Sequence, residues 1–270
     1  MGLRGAPVPV HEGGREGVFP QAAAAPGISI SETLCAHIEG PEAVVVADLH
    51  LGMEAAAEAQ GAFFPGRQKP VLIKRLRRIL DRFRPRIVAI AGDFKHNFGR
   101  DRRREMDEVR DVFDFLDSRA QVVLTRGNHD NFLKNILPDE PLPGAVELGG
   151  CMICHGHREP PGLARFKGWK IMAHEHPALK LRDPVGAFVS APAFVIDTRE
   201  RTLVLPALGP LAAGADVVGK AFRSPVLRKL DAAGMRILAA APSGLLDFGT
   251  IGGVRKAIES WSTGGGPQFR

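Results

Sequence analysis

The sequence predicts an α/β protein whose first half is a parallel β-α-β-α-β unit and whose second half adds another sheet, giving a two-sheet β-sandwich flanked by helices. Up to about residue 130, short apolar runs rich in β-branched residues alternate with amphipathic helical patterns. After Pro138, apolar runs follow one another with little room for helices between them. No run approaches the roughly 18 apolar residues of a membrane helix, and a chain with 44% hydrophobic and 24% charged residues has the composition of a globular protein.

The first half contains three strand patterns and two helix patterns. In chain order they are the strand AVVVAD (43–48), the helix QKPVLIKRLRRILDRF (68–83), the strand RIVAIAGD (86–93), the helix REMDEVRDVFDFLDS (104–118) and the strand QVVLTRGNHD (121–130). Apolar residues recur every three or four positions in the first helix, at Leu72, Leu76 and Ile79, which gives it one face to bury. Two successive β-α-β crossovers imply a parallel sheet with helices packed against it.

The second half contains β runs that predict a second sheet. They are VELGGCMICHGH (146–157), WKIMAHEH (169–176), AFVID (193–197) and TLVLPAL (202–208). Because there is neither an internal repeat nor a long linker, we predict one domain over residues 28–250. Residues 1–27 are rich in Gly, Pro and Ala without periodicity, so we predict a flexible N-terminal segment, and we predict a C-terminal tail over residues 251–270.

The formal charge of +6 is concentrated in one segment. Residues 67–104 contain fourteen Lys or Arg against three acidic residues, a local charge of +11. In the first predicted helix, Arg75, Arg78 and Arg82 share one stripe next to the apolar stripe, which would leave them in solvent. Such a segment predicts DNA or RNA as a partner, and a solvated helix face is the alternative interpretation.

The three cysteines indicate a reducing compartment. Cys35, Cys151 and Cys154 are too few, and odd in number, for a disulfide framework. Residues three apart on a strand point to opposite faces, so Cys151 and Cys154 are not expected to chelate one ion together. The N-terminal stretch also lacks the continuous apolar segment of a signal peptide. The sequence therefore predicts a cytoplasmic protein.

Ligand-type side chains follow five of the predicted strands. They are Asp48 and His50, then Asp93 and His96, Asn128 and His129, His155 and His157, and finally His174 and His176. Ligands bind at the carboxyl ends of the strands in α/β sheets, so these five places can converge on one crevice. Mixed imidazole, carboxylate and amide ligands suit Mn, Fe or Zn. Seven or eight ligands exceed what one ion can use, which favours two divalent ions that share a carboxylate.

Five motifs of this sequence resemble, in the same order, those of the calcineurin-like metallophosphoesterase superfamily. They are ADLHLG, GDFKH, RGNHD, CHGH and AHEH. The motif ADLHLGME, together with LPALGP and GLLDFGTI further along, is similar to the small SbcD-related phosphoesterases, which include DNA-ligase-associated ones. This resemblance implies the αββα fold of metallo-dependent phosphatases and a hydrolase with two divalent metal ions.

The resemblance also implies a role for each site residue. The implied ligands are Asp48, His50, Asp93 and His176 at the first ion and Asn128, His155 and His174 at the second, with Asp93 bridging. His129 would be the general acid, and His96 would be its partner in place of the Asp found in many superfamily members. The ions would lower the pKa of a bridging water, so that hydroxide attacks the phosphodiester, with Mn the first choice.

Several neighbours of these motifs also have expected roles. Asp130 and Glu175 are expected to orient neighbouring groups, and His157 is either a support for the ligands or part of a turn. Arg126 and Lys95 are candidates for contacting substrate phosphate, with surface solvation as the alternative.

Three functions are compatible with these features. The first is a nuclease-like phosphodiesterase that acts on nucleic acids or nucleotides. The second is a phosphoesterase for small molecules, such as cyclic nucleotides or nucleotide pyrophosphates. The third is a non-catalytic scaffold of the same fold, which the retention of both His96 and His129 argues against, because a scaffold needs no proton donor.

Overall fold

The computed structural model describes residues 18–19, 21–62, 68–98, 103–182 and 188–262. Most of the predicted flexible N-terminal segment and residues 263–270 lie outside these ranges. So do five residues of the predicted basic segment, residues 67 and 99–102, which include Arg67, Arg100 and Arg102.

Strands in the described part of the chain are numbered in chain order. They are β1 (Val18–Phe19), β2 (Gln21–Ala25), β3 (Ile28–Ser31), β4 (Cys35–Ile38), β5 (Ala43–Val46), β6 (Ile87–Ile90), β7 (Gln121–Leu124), β8 (Ala145–Leu148), β9 (Cys151–Cys154), β10 (Trp169–Met172), β11 (Pro177–Arg182), β12 (Phe188–Asp197), β13 (Thr202–Val204), β14 (Ala215–Asp216), β15 (Arg236–Ala241) and β16 (Gly244–Thr250).

The α-helices are numbered in the same way. They are α1 (Met53–Glu58), α2 (Gln68–Phe83), α3 (Arg103–Asp117), α4 (Leu133–Ile136) and α5 (Ile251–Ser262). Short 3-10 helices cover Leu163–Arg165, Leu227–Lys229 and Ala232–Gly234. Among the described residues, no helix is both long and apolar enough to cross a bilayer.

The smaller sheet has the strand order β2-β3-β4-β5-β6-β7. The pairs from β2 to β5 are antiparallel, whereas β5, β6 and β7 run parallel with α2 and α3 as crossovers. Val46 lies opposite Ile90, and Ile90 lies opposite Leu124. The carboxyl ends of the three parallel strands are therefore side by side, and the predicted parallel first half is confirmed.

The larger sheet has the order β1-β16-β15-β12-β13-β10-β9-β8, with β11 paired to β12 and β14 paired to β11. Strands β9, β10 and β13 run parallel, as do β11 and β14, and the other pairs of this sheet are antiparallel. Cys154 lies opposite Met172, so β9 and β10 also end side by side. The predicted second sheet is confirmed, and each sheet has a row of neighbouring carboxyl ends.

Alternation along β9 divides the core into two clusters. Cys151 and Ile153 belong to the cluster that both sheets share with α2 and α3. Met152 and Cys154 belong to a second cluster on the other face, which α5 helps to cover. Cys151 and Cys154 therefore point to opposite faces, as a two-residue repeat requires. Burial raises the pKa of the Cys154 thiol to about 12, which keeps the thiol protonated.

The ends of the predicted domain differ from the expectation. Residues 21–25, predicted to be part of a flexible segment, form β2, which pairs with β3. Residues 251–262, predicted to be a tail, form α5, where Ile251 and Val254 are buried. β2 is ordered by pairing with its neighbour β3 and α5 by packing on the second core cluster, and composition alone reveals neither contact. That the chain is a single domain stays a prediction.

Three arginines of α2 have partners in the fold, although Arg78 and Arg82 lie exposed on the surface of the helix as expected. Arg75 donates to the carbonyl oxygen of Leu208 at 2.6 Å. Arg78 and Arg82 both reach Glu32, with N–O distances of 2.9 Å. Leu208 and Glu32 lie far from α2 in the sequence, so local periodicity could not indicate these partners.

Candidate metal centre

The five ligand motifs lie in loops that follow β5, β6, β7, β9 and β10. The first three strands are neighbours in the smaller sheet, and the last two are neighbours in the larger sheet. Backbone hydrogen bonds join the loops, since the amide of Asp48 donates to Gly92 and that of His50 donates to Asp93. The fold thus brings side chains from both sheets to one place.

Backbone strain is concentrated in these loops. Half of the described non-glycine residues with positive φ are site residues, namely Asp48 (54°), His50 (50°), Asp93 (51°), His174 (74°) and His176 (46°). L-residues occupy this region rarely, at a cost of order 1–3 kcal/mol each. Such strain persists only where surrounding contacts impose it, and it marks functional sites.

One group of four side chains could hold a cation. The ligand atoms of Asp48, His50, Asp93 and His176 lie within 4.8 Å of one another. The Nε2 atoms of His50 and His176 are 3.1 Å apart, and His176 Nε2 is 3.4 Å from Asp48 Oδ1. This is the set implied for the first ion, and the structure brings its members together.

A second group shares one carboxylate with the first. The ligand atoms of Asp93, His155 and His174 also lie within 4.8 Å of one another. His155 Nε2 is 3.2 Å from Asp93 Oδ2 and 3.0 Å from Asn128 Oδ1. His174 Nδ1 is 3.2 Å from His155 Nε2. These are the residues implied for the second ion, and Asp93 takes part in both groups.

The donor set fits a divalent cation. Asp48 Oδ1 is buried and has no hydrogen-bond partner within the described ranges, although an orphaned carboxylate oxygen is costly. Burial lowers the pKa of His50 to about 3 and that of His174 to about 4. Both imidazoles are therefore neutral near pH 7 and have a lone pair to offer. A cation would satisfy these converging acceptors.

The buried carboxylates of the site are stabilised by nearby positive charge. Burial alone would raise the pKa of Asp93, but a hydrogen bond and charge from His155, with charge from His50, hold it below its usual range. Burial alone would lower the pKa of His155, but Asp93 and Asp48 raise it to about 9. The two buried carboxylates repel each other and are compensated by a proton held on His155, so a bound cation would serve the same electrostatic purpose.

His96 and His129 lie beside this centre. Their imidazoles stack with ring centroids 5.1 Å apart, and together with His50 they form a third group of converging nitrogens. His129 Nδ1 donates to the carbonyl oxygen of His96, and the His129 amide donates to Asp93 Oδ1 at 2.8 Å. Because Nδ1 carries the proton in this contact, Nε2 of His129 is left to exchange a proton with a bound molecule.

Asp130 and Glu175 orient loops, as predicted. Asp130 is buried, and its carboxylate accepts from the amides of Asp93, Phe94 and Gly127 at 2.9, 2.9 and 2.7 Å. Glu175, between two candidate ligands, accepts from the amides of Arg223 and Ser224. Both carboxylates satisfy backbone groups next to the site rather than pointing into it.

Sequence reasoning missed a group of buried side chains behind the loops. Glu105 accepts from the amides of His96 and Asn97 at 3.1 and 2.9 Å, and Glu108 accepts from Gly52. Gln68 donates to the carbonyl oxygen of His50 at 2.8 Å. A signal was present, because Glu105 and Glu108 fall on the same α3 face as its buried apolar residues.

Two basic residues near the motifs differ in exposure. Lys95, expected to be solvated or to contact phosphate, is fully buried, with Nζ donating to the carbonyl oxygen of Asn97. Arg126 is exposed, and its guanidinium contacts Asn131 Oδ1 at 3.3 Å. The structure therefore corrects the expectation for Lys95.

His157 lies at the edge of the centre. Its ring centroid is 5.2 Å from that of His155 and 6.2 Å from that of His174. Its Nδ1 atom is buried and has no hydrogen-bond partner among the described residues. His157 thus packs against candidate ligands and is absent from the three groups of converging ligand atoms.

Comparison with known proteins gives a family match and structural relatives. A family model for calcineurin-like phosphoesterases matches residues 43–183, just over half of the chain. The crystal structure of Pseudomonas putida nuclease MPE matches with a TM-score of 0.58 and 23% identity, covering 82% of this chain and 94% of that one. YfcE, a phosphoesterase from E. coli, matches with a TM-score of 0.38 and 15% identity, covering 64% and 83%. No curated protein matches the sequence.

Proposed function

We propose that this chain, which belongs to the calcineurin-like phosphoesterase family and is a metal-dependent hydrolase, cleaves phosphodiester bonds in nucleic acids or nucleotides with two divalent ions. One observation carries this proposal: two groups of converging ligand atoms share the carboxylate of Asp93. Two ions in a hydrolytic site need such a shared carboxylate to lie close enough to act on one phosphate.

The proposed ligands follow the two groups. Asp48, His50, Asp93 and His176 would hold the first ion, and Asn128, His155 and His174 would join Asp93 at the second. Manganese is the first choice for this set of imidazole, carboxylate and amide donors, with iron and zinc as alternatives. When bound, the ions lower the pKa of water and offset the charge of the phosphate.

We assign proton donation to His129. The His96 carbonyl oxygen accepts the Nδ1 proton of His129, which directs Nε2 away from that contact. Water adds to phosphorus and loses a proton to solvent, the bond to the leaving oxygen breaks, and protonated Nε2 gives its proton to that oxygen. His96 would keep the His129 ring in place by stacking on it. Both residues lie beside Asp93, and His129 Nε2 is 4.0 Å from Asp93 Oδ2.

Nucleic acid is the first substrate class we propose. The Pseudomonas putida relative of the same fold bears the name nuclease. Within the predicted basic segment, Lys74 and Arg103 remain as surface cations for a phosphate backbone.

A small phosphodiester is a second candidate with an observation in its favour. Arg75, Arg78 and Arg82, the stripe predicted to hold nucleic acid, are engaged by Leu208 and Glu32. These arginines would have to exchange their partners to contact a polyanion, whereas a small substrate does not need them. We place the activity in the cytoplasm, because the three cysteines are free and buried.

Hydrolysis assays test the proposal directly. The metal-free protein is given Mn and offered labelled single- and double-stranded DNA beside bis(p-nitrophenyl) phosphate and cyclic nucleotides. We expect cleavage that EDTA abolishes and that Mn restores best. Full activity after prolonged dialysis against EDTA would contradict the metal-dependent proposal. Turnover of small diesters without any DNA cleavage would favour the second candidate.

A further inference from the structure

Two phenylalanines of the described chain are more than a third exposed, and both belong to the loops of the candidate site. Phe98 is 53% exposed and Phe132 is 47% exposed. The other described phenylalanine side chains are buried or half-buried: Phe83, Phe94, Phe113, Phe115, Phe166, Phe194, Phe222 and Phe248. A single exposed apolar residue needs no explanation. Two aromatic rings at one functional site are the kind of exposed apolar surface that marks a ligand contact.

Phe98 touches the proposed proton donor. Its ring centroid lies 3.8 Å from that of His129, with an angle of 37° between the planes. The backbone beneath it is fixed, since the Asn97 amide donates to buried Glu105 and the Asn97 carbonyl oxygen accepts from buried Lys95. The Phe98 side chain is thus exposed to solvent, and the backbone next to it is fixed by hydrogen bonds to buried side chains.

Phe132 is presented by the loop that carries His129. Phe132 is the N-cap residue of α4. Its backbone has a positive φ of 65°, which is unusual for a residue with a bulky side chain. Asp130, two residues earlier, binds the amides of Asp93 and Phe94 and so ties this loop to the one that carries Phe98. Both rings are therefore placed by the same hydrogen-bonded support.

We infer that Phe98 and Phe132 form a stacking site for the nucleobases of a single-stranded substrate, with Phe98 on the leaving-group side of the scissile bond. This inference rests on the proposed function. The group attached to the leaving oxygen must lie beside His129, which donates the proton, and Phe98 is in contact with that imidazole. Every nucleobase has a π-face, so stacking on phenyl rings binds strands with little regard to their sequence.

The test compares two short DNA strands that differ only in their bases. One is a labelled hexathymidylate, and the other has the same length and number of phosphates with abasic sugars throughout. Binding is measured by fluorescence anisotropy in EDTA, so that no cleavage occurs. We expect tighter binding of the thymidylate strand by the wild-type protein. Phe98→Ala should weaken that binding about tenfold and leave the abasic strand unaffected.

Further variants separate stacking from folding. Phe98→Trp should restore the preference for bases, while Phe98→Leu, which keeps an apolar side chain without a π-face, should behave like Phe98→Ala. Phe132→Ala should also weaken binding of the thymidylate strand selectively. Val71→Ala is the matched control, because Val71 is 43% exposed and lies on α2 outside the proposed site. Equal binding of both strands by the wild type, or equal losses on both strands in Phe98→Ala, would overturn the inference.

Hydrolysis with Mn distinguishes this inference from the proposed function. We expect Phe98→Ala to raise KM for the thymidylate strand far more than KM for the abasic strand. If kcat falls equally on both strands with KM unchanged, Phe98 only positions His129 and the stacking site is wrong. If the wild type binds bases selectively but cleaves neither strand, the proposed function fails while the stacking site stands.

Discussion

The loops at the strand ends and the arginine stripe of α2 both concentrate charge, but they compensate it in opposite ways. In the loops, Asp48 and Asp93 are buried among imidazoles, and Asp48 Oδ1 has no hydrogen-bond partner in the part of the chain that the structure describes. On α2, Arg78 and Arg82 converge on the side chain of Glu32, which is only 6% exposed. An unmatched buried charge needs a ligand, whereas a matched charge is already satisfied by the fold.

This difference limits what a local charge count can say about binding. Beyond the stripe, other basic residues of segment 67–104 have acidic partners elsewhere. Lys69 reaches Asp111 at 2.5 Å, and Arg104 contacts Glu54, Glu58 and Glu108. Much of the local excess is therefore neutralised by acids brought in by the fold. Evidence for a polyanion site has to come from cations that lack such partners.

The largest effect on metal binding and turnover is expected from a change of Asp93, a buried carboxylate of the candidate site. Asp93→Asn should remove most bound metal and nearly all turnover, because Asp93 belongs to both groups of converging ligand atoms. Elemental analysis of the protein after loading with Mn measures this directly. Asp81→Asn, on the exposed face of α2, is the control and should keep its metal. Two ions per chain in Asp93→Asn would show that the carboxylate charge is not what holds them.

His129→Ala should separate turnover from metal binding. The proposed acid lies beside the centre without being among its proposed ligands, so metal content should stay near that of the wild type. The rate should fall about 10²- to 10⁴-fold, the usual contribution of general acid catalysis. His37→Ala, which removes an imidazole stacked on Phe83 outside the site, is the matched control. Normal turnover in His129→Ala would exclude His129 as the proton donor.

A smaller effect on stability is expected from the buried supports of the loops. Glu105→Ala removes the acceptor of the His96 and Asn97 amides and takes away the carboxylate that lies 3.9 Å from the Lys95 ammonium. Leaving the two amides without their acceptor and the buried ammonium without its nearby carboxylate should lower the free energy of unfolding by about 3 kcal/mol. Urea denaturation measures this loss. Glu147→Ala, at an exposed position of β8, should be nearly neutral, and an equal loss in both variants would contradict the support role.

The parallel strands and the residues that follow them could be predicted because each is encoded locally. Val44 to Val46 form a short apolar run, and the polar residues after such a run must lie at a sheet edge. That β2 and α5 are ordered was not predicted, because the composition of these segments indicates neither the pairing of β2 with its neighbour β3 nor the packing of α5 on the second core cluster. The sequence could not indicate the partners of Arg75 and Arg78 either, because Leu208 and Glu32 reach them only in the folded chain.

The smallest effect on stability is expected from Arg78 and Arg82 of α2, whose charges are matched by Glu32. Arg82 is less exposed than Arg78, 30% against 63%, and makes two contacts with Glu32, at 2.9 and 3.1 Å. Arg82→Ala should therefore cost more stability than Arg78→Ala, although each change should stay below about 1 kcal/mol for partly exposed pairs. Arg84→Ala, at an exposed position just after α2, is the control.

The same variants decide whether the stripe binds nucleic acid. A residue that holds a backbone phosphate reduces the slope of log affinity against log salt by about one unit when it is removed. Since Glu32 already engages Arg78 and Arg82, we expect the salt dependence of DNA binding to be unchanged in both variants. A slope reduced in both but not in Arg84→Ala would mean that DNA displaces Glu32. The arginines would then bind the substrate as well as stabilise the fold. An acidic partner would therefore no longer indicate that a cation is not used for substrate binding.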